Sequence, residues 1–97
     1  MTDKTITPPA PDCTPSLAPR YLLRWEESQN AWVLLYPEGI IKLNPSASEI
    51  LRRCDGQRTP VQVIAELAEA FPDAGPALAD NVNQFIGLAL GKGWLRA

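Results

Sequence analysis

Residues 32 to 44, WVLLYPEGIIKLN, consist of two short apolar runs joined at Tyr36-Pro37-Glu38-Gly39. Trp, Val, Tyr and Ile suit a pleated, half-buried surface. Pro37 presets the φ of the second position of a type I turn, and Gly39 is expected to adopt the left-handed conformation that returns the chain with a bulge. The stretch therefore reads as a β-hairpin. Asn44-Pro45 then stops its second arm and opens a helix. If an earlier strand pairs with the first arm, the second arm, Ile40 to Leu43, is left as a sheet edge with unpaired backbone groups. Such an edge is either protected or used.

With 97 residues, 45% of them apolar, the chain has enough material for one small core. A formal charge of −2 disfavours a partner gripped mainly through phosphates. No run of 18 apolar residues exists, so no membrane span is expected. No basic region followed by an apolar one opens the chain, so the expected location is cytoplasmic. Histidine is absent, which removes the commonest general base and the commonest metal ligand. Cys13 and Cys54 have no metal-site spacing and read as reduced thiols, with Cys54 on the apolar side of a helix.

Residues 1 to 19 hold five of the ten prolines and few large apolar groups. They are expected to form a flexible tail, and residues 20 to 97 the folded domain. Arg20 to Glu26 alternates as a first strand. Ser28 to Asn30 is a connection of hairpin length, and Ala31 to Tyr36 is apolar on both faces, as a middle strand would be. A three-stranded antiparallel meander follows.

Three helices come next. The first spans about Pro45 to Cys54, with Asn44 as N-cap and Ala47, Ile50, Leu51 and Cys54 on its buried face. The second is capped by Thr59, begins at Pro60, and is expected to bury Val61, Ile64, Ala65, Ala68 and Phe71. The third runs from about Pro76 to Gly91, with Leu78, Val82, Phe85, Ile86, Ala89 and Leu90 on a wide apolar arc. Such an arc ordinarily means burial on more than one side; in the sharper reading, part of it lines a groove beside the third strand. The fold class is α+β, winged helix-turn-helix-like: a three-stranded antiparallel sheet followed by three helices.

The scattered acids Glu26, Glu27, Glu66 and Glu69 read as solvated faces, and no nucleophile–base pair or phosphate loop is present, so catalysis is not expected. A winged helix-turn-helix invites comparison with nucleic-acid binders. The second helix, however, offers Gln62, Glu66 and Glu69, and the third Asp80, Asn81, Asn83 and Gln84, with no arginine to read guanine. The cations Arg52, Arg53 and Arg58 gather at the first helix–helix turn instead. The reading left is a binding module whose edge strand captures an extended peptide. Backbone hydrogen bonds along Ile40 to Leu43, one donated by Ile41, would set its register, and Lys42 or Arg53 would meet an acidic side chain.

The series LLYPEGIIKLNPSASEILRRCDG (residues 34 to 56), Phe71 and Phe85 with thirteen residues between them and DNV before the second, and GKGWL (91 to 95) resembles the pyrroloquinoline quinone biosynthesis protein D family. The resemblance covers Pro19 to Leu95. It departs in having Ile86 where the family commonly has leucine, which conserves bulk. The resemblance implies a winged-helix domain without catalytic residues or cofactor. That domain binds the ribosomal precursor peptide of the quinone and presents it to a radical-SAM, iron–sulfur enzyme, which cross-links a glutamate to a tyrosine of the peptide. Carried onto this chain, the peptide would add as a strand beside Gly39, Ile40, Ile41, Lys42 and Leu43. Its apolar side chains would meet Val82, Phe85, Ile86 and Ala89. The same free edge also offers a route to a homodimer.

Overall fold

The β-hairpin predicted at the centre of the chain is present, and it organises the sheet. A computed structural model describes residues 8–97. Strand β1 is Ser16–Leu17, β2 Leu22–Glu26, β3 Ala31–Tyr36 and β4 Gly39–Lys42; helices α1 (Pro45–Leu51), α2 (Pro60–Ala70) and α3 (Leu78–Gly91) follow, and β5 is Leu95–Arg96. Strands β2, β3 and β4 form an antiparallel sheet in that order, with Leu23 opposite Leu34 and Leu34 opposite Ile41. The expected α+β architecture, with three strands and then three helices, is therefore found. It gains a second, two-stranded sheet of β1 and β5.

The hairpin turn is tighter than expected. Tyr36 pairs with Gly39, leaving Pro37-Glu38 as a two-residue loop. Among the described residues, positive φ occurs at Asn30, Gly56, Gly75 and Gly93, and not at Gly39. Pro37 holds its own φ negative, the turn closes without a bulge, and Gly39 already belongs to the strand. A Cβ at position 39 would lie 3.7 Å from Tyr36 Oη, an ordinary contact, so nothing in the turn demands glycine there.

The helix signals hold at the caps. The Asn44 side chain accepts from Ala47 N–H at 2.8 Å, with Pro45 at the first helical position. Thr59 and Gln62 form a reciprocal capping box at the start of α2, which satisfies two otherwise orphaned donors. At the end of α3, Trp94 N–H donates to Ala89 C=O and Gly93 N–H to Leu90 C=O. With Gly93 at φ +80°, this is the six-to-one and five-to-two pattern of a Schellman stop.

The core lies between the helix-facing side of the sheet and the three helices. Leu43, Ala47, Ile50, Leu51, Cys54, Val63, Leu67, Val82, Ile86, Ala89 and Leu95 form one buried cluster, with Leu23, Trp32 and Ile41 packed against it. A fully buried Leu, Ile or Val contributes roughly 1.5–3 kcal/mol. The buried face of α1 is the expected one at Ala47, Ile50 and Leu51, but the helix ends at Leu51, and Cys54, expected within it, is buried in the turn beyond. On α2 only Ile64 of the expected face packs against the core, half-buried: Pro60, Val63 and Leu67 are the buried residues, whereas Val61 is 61% and Phe71 44% exposed, and Ala65 and Ala68 also face out. Val63 and Leu67, one helical turn apart, direct the helix inward and rotate the expected stripe outward.

Residues 14 to 18 also differ from the flexible tail expected over residues 1 to 19. Pro15 is fully buried. Ser16 and Leu17 pair with Arg96 and Leu95, Gly56 N–H donates to Pro15 C=O, and Ala18 N–H to Trp94 C=O. The tail expected over residues 1 to 7 lies outside the described residues.

Candidate functional site

In the sheet order β2-β3-β4, β4 is an outer strand, and hydrogen-bond alternation decides which of its backbone groups are free. Leu43 N–H donates to Trp32 C=O at 3.0 Å, and Gly39 closes the two-residue turn with Tyr36. Hydrogen-bonded and non-bonded pairs alternate along an antiparallel ladder. Gly39, Ile41 and Leu43 therefore spend their backbone groups on β3. Ile40 and Lys42 turn their N–H and C=O to the open side.

This corrects the expectation for Ile41. Its N–H faces Leu34 inside the sheet, and a proline there would break the hairpin rather than blunt the edge. Side chains alternate in the same way: Ile40 is 67% exposed, Lys42 is exposed and Ile41 half-buried, and Leu43 is in the core.

The strand leads directly into the rim of a groove. Asn44, the N-cap of α1, stands at that rim. The groove, of about 550 Å³, lies between α1, the end of α2 and the first half of α3, lined by Ile50, Leu67, Phe71, Leu78 and Phe85. Asn44, Ser46, Glu49 and Asn81 supply its polar positions. An apolar cleft with few convergent polar groups is the usual form of a site that seats an apolar side chain.

Of the helix-three residues expected to meet a peptide, Phe85 lines this groove, half-buried, with its ring 6.4 Å from that of Trp94. Val82 forms part of the groove floor but has no exposed surface. Ile86 and Ala89 are fully buried in the core and line no part of it. The wide arc of α3 is thus mostly burial, and the groove opens at the end of β4 rather than alongside it. Phe71 is the groove residue whose place the sequence obscured. Counted as a buried face of α2, it sits at the helix end before Pro72, half in solvent.

The arginines at the first helix–helix turn are answered by carboxylates. Arg53 meets Glu49 at 2.7 Å and Glu66 at 3.4 Å. Arg58 bridges Glu66 and Asp55. Arg52 pairs with Glu49 at 3.5 Å and lies over the Trp32 ring, 4.8 Å from its centroid. The N–H of Gln57 donates to Asp55 and, with Arg58 beside it, holds that carboxyl below the usual range. Arg53 is therefore committed within the chain, and the candidate cation for a peptide carboxylate narrows to Lys42. Among the described residues no cluster of His, Cys, Asp and Glu could hold a metal, and no helix is long and apolar enough to cross a membrane.

Comparison with known proteins points one way. Residues 31–95 match the family described as coenzyme PQQ synthesis protein D (PqqD). The chain is 44% identical over 81 residues to PqqA binding protein 1 of Pseudomonas putida, covering 84% of this chain and 88% of that one. It is 37% identical over 86 residues to the PqqA binding protein of Methylococcus capsulatus, covering 89% and 90%. Among solved structures it is similar to the PqqD truncation of Methylobacterium extorquens PqqCD, described as a functional, stand-alone recognition element for ribosomally synthesised and post-translationally modified peptides. That similarity has a TM-score of 0.73 and 28% identity, and covers 91% of this chain and 94% of that one.

Proposed function

This chain belongs to the coenzyme PQQ synthesis protein D family, and from that premise we propose that it is a non-catalytic peptide chaperone of pyrroloquinoline quinone biosynthesis. Its ligand is the precursor peptide PqqA, for which its relatives in Pseudomonas putida and Methylococcus capsulatus are named. The peptide adds as a strand along β4 and is handed to the radical-SAM enzyme that joins a glutamate to a tyrosine within it. The work belongs in the cytoplasm, where a ribosomal peptide is made.

The observation that carries the binding mode is the outward pair of backbone groups at Ile40 and Lys42, on an edge that ends at an apolar groove. Strand addition draws affinity from such main-chain groups and specificity from neighbouring pockets. Each residue of the pair offers one donor and one acceptor, so the edge supplies up to four hydrogen bonds. A net contribution of about 1 kcal/mol each leaves the groove to select a large apolar side chain. Lys42 beside the added strand favours an acidic residue in the peptide. Two copies of the chain pairing through β4 would use the same groups, so dimerisation there competes with peptide.

The test is a pair of prolines. Lys42→Pro deletes an outward donor and leaves the ladder to β3 intact. It should weaken precursor-peptide binding about tenfold in calorimetry, with Lys42→Ala as the control for the side chain. Ile41→Pro deletes an inward bond and should lower the melting temperature instead. Peptide binding to Lys42→Pro at the affinity of Lys42→Ala would rule out strand addition on this edge.

A further inference from the structure

The helices cover one side of the β2-β3-β4 sheet. On the other side, cross-strand register sets three aliphatic residues abreast: Leu22 opposite Leu35, and Leu35 opposite Ile40. Leu22 is 56% and Ile40 67% exposed, and Leu35 between them is half-buried. Single exposed apolar residues need no explanation, but a contiguous row across three strands does. The next row is Arg24, Val33 and Lys42, with Val33 only 1% exposed between the two cations. Neither Arg24 nor Lys42 makes an ion pair among the described residues. One carboxylate, Glu26, stands among the strand residues of this face.

We propose that this outer face docks a folded protein partner whose surface bears an apolar ridge edged by carboxylates, and that the captured peptide widens the docking surface. Charge selects the partner. A second copy of this chain on a two-fold axis would set Arg24 and Lys42 against their own kind with one carboxylate per copy to relieve them, and like charges across an interface disfavour it. An acidic rim meets both cations.

The peptide's part rests on the reading of β4 as its edge. A strand added there lies about 4.8 Å beyond β4, and alternate peptide side chains fall in line with Leu22, Leu35 and Ile40. The row then spans roughly 15 Å over four strands, the fourth present only when the peptide is loaded. The partner that must find the loaded state is the enzyme that modifies the peptide.

The test uses the full chain, the precursor peptide and the radical-SAM enzyme of the same pathway. Leu22→Ser and Arg24→Glu both lie on β2, the strand farthest from the open edge of β4, and neither residue belongs to the buried cluster or lines the groove. Arg24→Ala serves as a milder third variant, and a dispersed amide spectrum establishes that each is folded. Each should weaken binding to the enzyme, tenfold or more for Arg24→Glu, and leave peptide affinity within twofold. Enzyme binding unchanged in all three variants would overturn the proposal. So would concentration-dependent self-association of the wild-type chain that Leu22→Ser abolishes, because it would assign the face to a second copy. Enzyme titrations without peptide separate this inference from the peptide reading. Wild-type chain that fails to bind peptide refutes that reading and the four-strand row, while the three variants still decide whether the enzyme uses this face.

Discussion

Cys54 shows how a single residue's chemistry follows from its packing. The residue, in the turn after α1, is 3% exposed, and burial, with Asp55 and Cys13 adding to it, pushes its pKa up to about 12 from an ordinary 9.0. The folded chain therefore holds this proton after the unfolded chain has released it. The stability contribution is intact below pH 9 and is lost as pH rises from 9 towards 12. Chemical denaturation across that range should show a steeper loss for the wild type than for Cys54→Ala, and parallel slopes would mean that Cys54 ionises normally. The role of Cys54 as a core filler was legible, as were the caps Asn44 and Thr59, because each depends on near neighbours in sequence. The commitment of Arg53 was not. Glu49 lies one turn away on the same helix, but Glu66 comes from α2, and only the packing of α1 on α2 brings the two acids to one guanidinium.

At the scale of elements, local signals set starts and stops, and tertiary packing set the rotation. The α2 capping box joins Thr59 and Gln62 through both backbone and side-chain bonds. Thr59→Ala should cost about 1 kcal/mol in urea unfolding, because one orphaned donor of the first turn returns to solvent. An unchanged midpoint would show that solvent satisfies that donor equally well. The rotation of α2 was misread because Val61 and Phe71 are bulkier advertisements for burial than Val63, and a short amphipathic helix with alanines offers more than one apolar stripe. Strand β1 had no local signal at all. Its partner β5 lies at the opposite end of the chain, and two paired residues give no alternation to read. The hairpin was legible as an element, yet its two-residue turn was not, since a proline-glycine pair suits a bulged turn equally well.

Taken whole, the molecule carries the proposed peptide edge on its sheet, ends that edge at a groove among the helices, and draws most of its buried cluster from the helices. β1 and β5 fasten the two ends of the described chain together beside α1, and α3 gives most of its apolar arc to the core. The proposed site was half visible in sequence. The free edge followed from strand order, but which of its amides point outward required the register, and the groove required the placement of Phe71 and Leu78. The proposed function rests on that edge. The measurement that tests it most directly is a titration of the isotope-labelled chain with the synthetic precursor peptide, followed by amide shifts. Shifts should be largest at Ile40 and Lys42, smaller at the inward Ile41, and continue into the groove at Asn44, Phe71, Leu78 and Phe85. Saturation with Ile40 and Lys42 unmoved would contradict strand addition on β4, and the absence of any shift at millimolar peptide would contradict the chaperone function itself.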